Sequence, residues 1–284
     1  MRLSTGNISL CESELKSILT DLKIEKLHWH EVDQSSVLNS MLEHIGSTDC
    51  ELRDGLIYAS FYKLVMERKQ IEAALLSELL QTCVNELLFK GIGEKGTDTV
   101  FTRSFTTLLI ALILGRDNQE DFLSKDTIED MKEKLIKYME LEEDIRGFVP
   151  DKGWAHSVAH AADMIDELVK NPKLNKECYP DIIRTLWSKV LISNSVYVHG
   201  EDERLLIPIL EMLDRGMDVA EFDELFLHLP IELKFQKEQI EEEKYWILVF
   251  NIKTFLKSFY IKINGNPKLL PLHEKIEESL VEIS

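Results

Sequence analysis

Apolar residues recur at spacings of three and four along almost the whole chain. Leu75, Leu76, Leu79, Leu80, Cys83, Val84, Leu87 and Leu88 form the clearest run, the i, i+3, i+4, i+7 pattern of a helix with one buried face. No segment alternates apolar and polar residues as a half-buried strand does. Acidic residues mark helix starts: Asp33 before residues 34–45, Asp49 before 50–66, Asp98 before 99–114 and Asp126 before 127–141. Gly46, Gly91, Gly115, Gly216, Gly265 and the Asn171-Pro172 pair mark stops. The pattern predicts about twelve helices, and the short loops between them favour antiparallel hairpins.

Successive hairpins begin about 40 residues apart, near the period of HEAT-type repeats. No Pro/Gly/Ser-rich linker interrupts them. The expected fold is therefore all-α: one helical-repeat domain over residues 1–284, an α-α superhelix of about six HEAT-like hairpins, with C-terminal capping helices over 236–284. A non-repeating helical bundle of equal helix content is the alternative. In a superhelix the ends of inner helices line a concave groove, the natural place for a ligand or a partner segment. The charge run at 238–244 (EQIEEEK) reads as a solvated helix start ahead of an apolar helix at 245–259.

Composition narrows the partners. The chain has 51 Asp and Glu against 33 Lys and Arg, a formal charge of −18. So strong an acidic excess argues against nucleic acid or an anionic membrane surface as a partner. The longest apolar stretch, 108–114, falls far short of the roughly 20 residues that span a bilayer. Residues 1–12 contain no apolar leader, and the four isolated cysteines, Cys11, Cys50, Cys83 and Cys178, form no CxxC pair. A cytoplasmic protein with reduced thiols is expected.

Two segments break the helical monotony. The first, EDIRGFVPDKGWAHSVAHAADMID at 143–166, has Gly147, Pro150 and Gly153 ending one helix and Asp151 placed to cap the next. If that helix includes His156, then His160 lies about 40° and Asp163 about −20° from it, on a face opposite Val158, Ala162 and Ile165. Imidazoles four residues apart can hold a transition metal from adjacent turns, and an imidazole beside a carboxylate also suits proton transfer. The glutamate of HExxH is missing, so a zinc-protease reading is poorly supported. Trp154 opens the same helix and offers a flat apolar platform beside these polar groups.

The second segment is VHGEDERLL at 198–206. Glu201 and Asp202 stand in a first helical turn, where acids favour the macrodipole; His199, Glu201, Asp202 and Arg204 also form a candidate second wall one repeat after His156. Arg53 and Arg103 sit within or beside apolar helices and need partners, with Asp54, Asp144 and Glu201 as candidates. Either as ion-paired ties or as anion-binding groups, they belong near the groove, with Arg146.

These residues carry a resemblance. Arg53-Asp54, TRSF at 102–105, Arg146-Gly147, GWAHSVAHAAD at 153–163 and HGEDERL at 199–205 resemble the signature motifs of an uncharacterised bacterial family, found mainly in Firmicutes and known as a domain of unknown function. The resemblance spans about residues 42–213. It implies a helical cytoplasmic protein and no particular activity. Some members are labelled lipoproteins, a label that the start of this chain does not support.

Three functions follow as expectations. The leading one is a binding protein whose groove takes a small polar or anionic ligand, or a peptide segment. Trp154, His156, His160 and Asp163 would make one wall, His199, Glu201, Asp202 and Arg204 the other, with Arg53, Arg103 and Arg146 supplying positive charge. This reading requires no cofactor. The second is a metal-dependent hydrolase with His156, His160 and Asp163, or another nearby acid, holding a divalent ion. The third is a protein-interaction scaffold.

Overall fold

The computed structural model describes residues 9–283, so the expectation for residues 1–12 lies mostly outside the described chain. The fold is all-α as predicted, with twelve α-helices and one small hairpin among the described residues. Contacts divide the chain after Leu174 into two compact units.

The first unit contains α1 (Glu12–Lys23), α2 (Gln34–Glu43), α3 (Ala59–Tyr62), α4 (Ala73–Thr82), α5 (Thr99–Glu120), α6 (Lys125–Leu141) and α7 (Ser157–Lys170). π-helical segments flank α3 at Glu51–Tyr58 and Lys63–Glu67, and another, Cys83–Leu87, continues α4. There each amide reaches back five residues, as in Arg68 N to Lys63 O and Leu88 N to Cys83 O, both 2.8 Å.

Helix α5 is the axis of this unit. It is buried on every side from Val100 to Asp117, so neighbours must surround it, and α7 packs along its length. Its length and composition alone would allow it to cross a membrane, but 94% of its apolar window is buried inside the unit, as in a core helix. Gly46 lets the chain approach α5: a Cβ there would meet the Thr102 backbone at 2.7 Å.

Several predicted boundaries hold. Asp33 accepts from Ser36 N, and Asp49 accepts from the Glu51 and Leu52 amides. Others move. Ser124, rather than Asp126, caps α6 through Thr127 N at 3.1 Å. Asp98 makes no cap; its carboxylate pairs with Lys152 at 2.7 Å. Gly115 lies inside α5 instead of ending it. Its missing side chain makes room for α7, since a Cβ would stand 3.1 Å from Glu167 Oε2, and the helix runs on to a left-handed Asp121.

Between α6 and α7 the chain forms a hairpin that no alternation announced. β1 (Phe148–Val149) pairs antiparallel with β2 (Gly153–Trp154), with Phe148 opposite Trp154. Asp151 and Gly153 both take positive φ in and after the turn. Asp151 therefore shapes the hairpin and does not cap α7, which begins six residues later.

The second unit contains α8 (Tyr179–Val190), α9 (Glu201–Asp214), α10 (Asp223–Gln239), α11 (Glu242–Ile263) and α12 (Leu270–Glu282). The rings of Trp187, Phe222, Phe226, Phe255 and Phe259 make edge and stacked contacts in its core. The predicted charge run spans the end of α10 and the start of α11. Asn251 of α11, 1% exposed, latches the loop before α9: its amide donates to Ile192 O and Ser195 O and its oxygen accepts from Tyr197 N.

Candidate functional site

The hairpin ladder continues through Ala155 N to Gly147 O at 2.8 Å and His156 N to Arg146 O at 3.0 Å. It delivers His156 to the N-cap of α7 in a left-handed conformation, φ +49°. His156 is thus outside the helix, and the helical-wheel relation expected between it, His160 and Asp163 does not apply. Its imidazole instead lies flat on the Trp154 indole, with centroids 4.4 Å apart and planes 11° from parallel, and Phe148 meets that indole edge-on at 5.0 Å. Trp154 keeps 36% of its surface exposed.

His160 is buried, and α7 shows no broad outward polar face, because α5 and α6 both pack against it. The Ser104 hydroxyl donates to Ala155 O, which leaves the Ser104 oxygen to accept from His160 Nδ1 at 2.7 Å. That arrangement puts a proton on Nδ1. The His160 ring lies 5.6 Å from His156 and meets Phe105 edge-on at 5.3 Å; Phe105 in turn meets Tyr58 edge-on at 6.3 Å. Asp163 stands on the same helix, half-buried.

The arginines are internal ties. Arg103 is completely buried and binds Glu142 through two parallel bonds, Nε–Oε2 2.7 Å and Nη2–Oε1 2.9 Å, while Nη1 caps Lys90 O and Gly91 O. Burial alone would lower its pKa, but Glu142 outweighs that and pushes it up. Arg53, equally buried, donates to the carbonyls of Ser47, Lys152 and Trp154 and lies over the Phe101 and Phe105 rings. Its position fixes the back of the hairpin. Arg146 clasps Asp144 at 2.8 Å and Thr97 O at 2.7 Å. The expected acids thus change places: Glu142 serves Arg103, Asp144 serves Arg146, and Arg53 takes carbonyls. Neither Arg53 nor Arg103 is open to a ligand.

A cavity of about 520 Å³ lies in the first unit, on the other side of Arg53's helix segment. Trp29, Leu27, Tyr62 and Leu64 give it apolar walls, and Asp54, Gly55 and Tyr58 come from the first π segment. Asp54 is half-buried, and burial raises its pKa above the ordinary carboxylate value, against the opposing charges of Arg53 and His156. Tyr58 joins this cavity to the hairpin, since ring contacts run without interruption from Tyr58 through Phe105, His160, His156 and Trp154 to Phe148.

The second candidate segment lies in the second unit. Gly200 takes φ +79° at the N-cap of α9, and the Glu201 carboxylate accepts from His199 N at 2.9 Å. Ser258 donates to Asp202 at 2.7 Å. Glu201 and Asp202 are buried rather than solvated first-turn acids, and Arg204 is half-buried. Among the described residues, no group of three or more His, Cys, Asp or Glu side chains is placed to hold a metal ion.

Sequence reading missed Glu142, Ser104, Asn251 and the cavity. Glu142 sits in an acidic run where nothing distinguishes it from its neighbours; Asp54 and Tyr58, four apart with a glycine between, were the one local sign of the cavity. No curated protein and no solved structure matches the chain. One family model does, described as Protein of unknown function (DUF2785), over residues 88–261. Arg103, Glu142, the hairpin, His156, His160 and the 199–204 segment fall inside that match, and Arg53 and the cavity precede it. With more than half of its length matched, the chain belongs to the DUF2785 family.

Proposed function

We propose that this protein is a small-molecule-binding protein whose ligand occupies the Asp54–Tyr58 cavity of the first unit. The cavity itself carries this reading. Its volume of about 520 Å³ falls within the range of ligand sites, and it combines apolar walls with a few convergent polar groups. Two rare π-helical segments supply part of its lining, and such segments concentrate at functional sites. The Trp154–His156 stack, linked to Tyr58 by successive ring contacts, is the neighbouring surface that a bound ligand would affect. His199, Glu201, Asp202 and Arg204 are assigned no part in this site. The packing of consecutive helices such as α11 on α12 supports the HEAT-like reading of the helix pairs.

The test is a fragment screen by amide NMR with neutral, acidic and amine-bearing aromatic fragments. Binding should shift Trp29, Asp54 and Tyr58 and disappear in Gly55→Leu, which fills the cavity from a position where a Cβ meets nothing closer than Glu51 Cγ at 4.0 Å. Fragments that bind only elsewhere, or equally well to Gly55→Leu, would refute the reading.

A further inference from the structure

The charges around the cavity differ in how far they are already satisfied. Lys63 and Arg68 both reach Glu25, Lys63 at 3.6 Å and Arg68 through a direct hydrogen bond. Lys23 donates its ammonium to Gly55 O at 3.0 Å. Glu67 is exposed, as are Lys23 and Arg68, and water solvates them. Asp54 stands apart from all of these. It is half-buried, and among the described residues no hydrogen-bond donor reaches its carboxylate, on which the charges of Arg53 and His156 act without direct contact. The nearest guanidinium, that of Arg53, is turned away to the carbonyls of Ser47, Lys152 and Trp154.

A carboxylate in that position loses hydration and gains no hydrogen bond in return, which is unfavourable until a donor arrives. The surrounding wall limits what the donor can be. Trp29, Tyr58 and Tyr62 offer aromatic surface, and a cation near ring faces is attracted by their quadrupoles. An anionic ligand would meet Asp54 as a like charge, while Lys63 and Arg68 already share the Glu25 carboxylate.

Building on the cavity as the ligand site, we infer that its ligand is a primary or secondary amine, bound as the ammonium ion on an apolar or aromatic body, with the ammonium paired to Asp54. The amine proton donors replace the hydration that Asp54 lacks, while the body displaces water from Leu27, Leu64 and the aromatic walls.

Three probes of one shape test this: 2-phenylethylamine, 2-phenylethanol and 3-phenylpropanoate, titrated at neutral pH by amide NMR. The amine should bind at least about tenfold more tightly than the alcohol or the acid, the value of one charge-assisted bond. Asp54→Asn should bring the amine and the alcohol to within about twofold while leaving the alcohol's own affinity unchanged. Equal binding of all three probes in the cavity, a preference for the acid, or an amine preference that survives in Asp54→Asn would each overturn the inference and leave the cavity as a ligand site. No cavity shifts with any probe would overturn both. Asp54→Asn is close to isosteric, and a retained amide spectrum shows that lost preference reflects the charge.

Discussion

Arg103 and Glu142 meet fork to fork at 2.7 and 2.9 Å, and neither side chain is exposed to solvent. Tyr138 adds a third bond to the same carboxylate at 3.0 Å. Thirty-nine positions separate the two residues, so the pair fastens α5 to the end of α6 and places the chain that enters the hairpin.

Removing one partner leaves the other charge stranded. Arg103→Met or Glu142→Met alone should lower stability by about 3–5 kcal/mol, whereas the double substitution should lose far less than the sum. Urea unfolding of the four variants measures this directly. An additive double mutant would show that the two side chains do not depend on each other.

Gly46 and Gly55 should respond oppositely to alanine. At Gly46 a Cβ runs into the Thr102 backbone, which a side-chain shift cannot relieve, so Gly46→Ala should lose about 1–3 kcal/mol. At Gly55 the nearest atom is 4.0 Å away, and Gly55→Ala should match or slightly exceed the parent. Paired thermal melts decide it; equal loss at both sites would contradict the close approach at Gly46.

Asp117 and Asp54 should contribute opposite pH dependences. Burial opposes the charge on Asp117, but the Leu123 amide, Lys173 and Asn171 outweigh it and hold its pKa below the ordinary value. Its stabilisation is therefore present above the usual carboxylate pKa and lost as pH falls through the lower, folded value. Asp54 is shifted upward by burial, so the folded state favours its protonated form and loses stability as pH rises from the unfolded pKa through the folded one. Asp117→Asn should be less stable than the parent near neutrality, with the gap closing in acid. Asp54→Asn should be the more stable near neutrality, and that gap too should close in acid. Urea midpoints across the acid range test both signs.

His156 is a test of strain against stacking. A non-glycine residue at φ +49° costs about 1–3 kcal/mol, and the aromatic stack on Trp154 returns about 0.5–1.5 kcal/mol. His156→Gly should thus unfold within about 1 kcal/mol of the parent or slightly above it. A loss of several kcal/mol by calorimetry would mean that the imidazole holds the hairpin by more than stacking.

What the sequence made legible follows from the range of the interactions involved. Helices such as α2 and α6 declare themselves through local spacing and caps, and both appear within a few residues of their predicted limits. Of the residues that break pattern, Arg53, Trp154, His156 and His160 are linked by direct contacts in the first unit, and Arg103 is tied to Glu142. Their roles were hidden because partnership is set by tertiary contact. Arg103 finds Glu142 across two helices, and His160 meets Ser104 fifty-six positions away. The face of α7 is hidden from sequence reading for a related reason: a polar wheel position is open only if no neighbour covers it, and this helix, packed by α5 and α6, is buried almost throughout. The hairpin escaped notice because two-residue strands are too short to alternate.

The π segments have an effect that residue types alone do not convey. A wide turn holds one residue more than the α turn it replaces, and that surplus advances the rotational phase of every position after it. Asp54, Tyr58 and Lys63 face the same hollow partly because of how many residues precede them. Deleting a single residue within 51–58 would let the segment relax into an ordinary helix and rotate Tyr58 and Lys63 away together, even though no lining side chain had been altered. The cavity is in this sense written in a tally of positions as well as in their chemistry, and a change in length here would erase what most substitutions would spare.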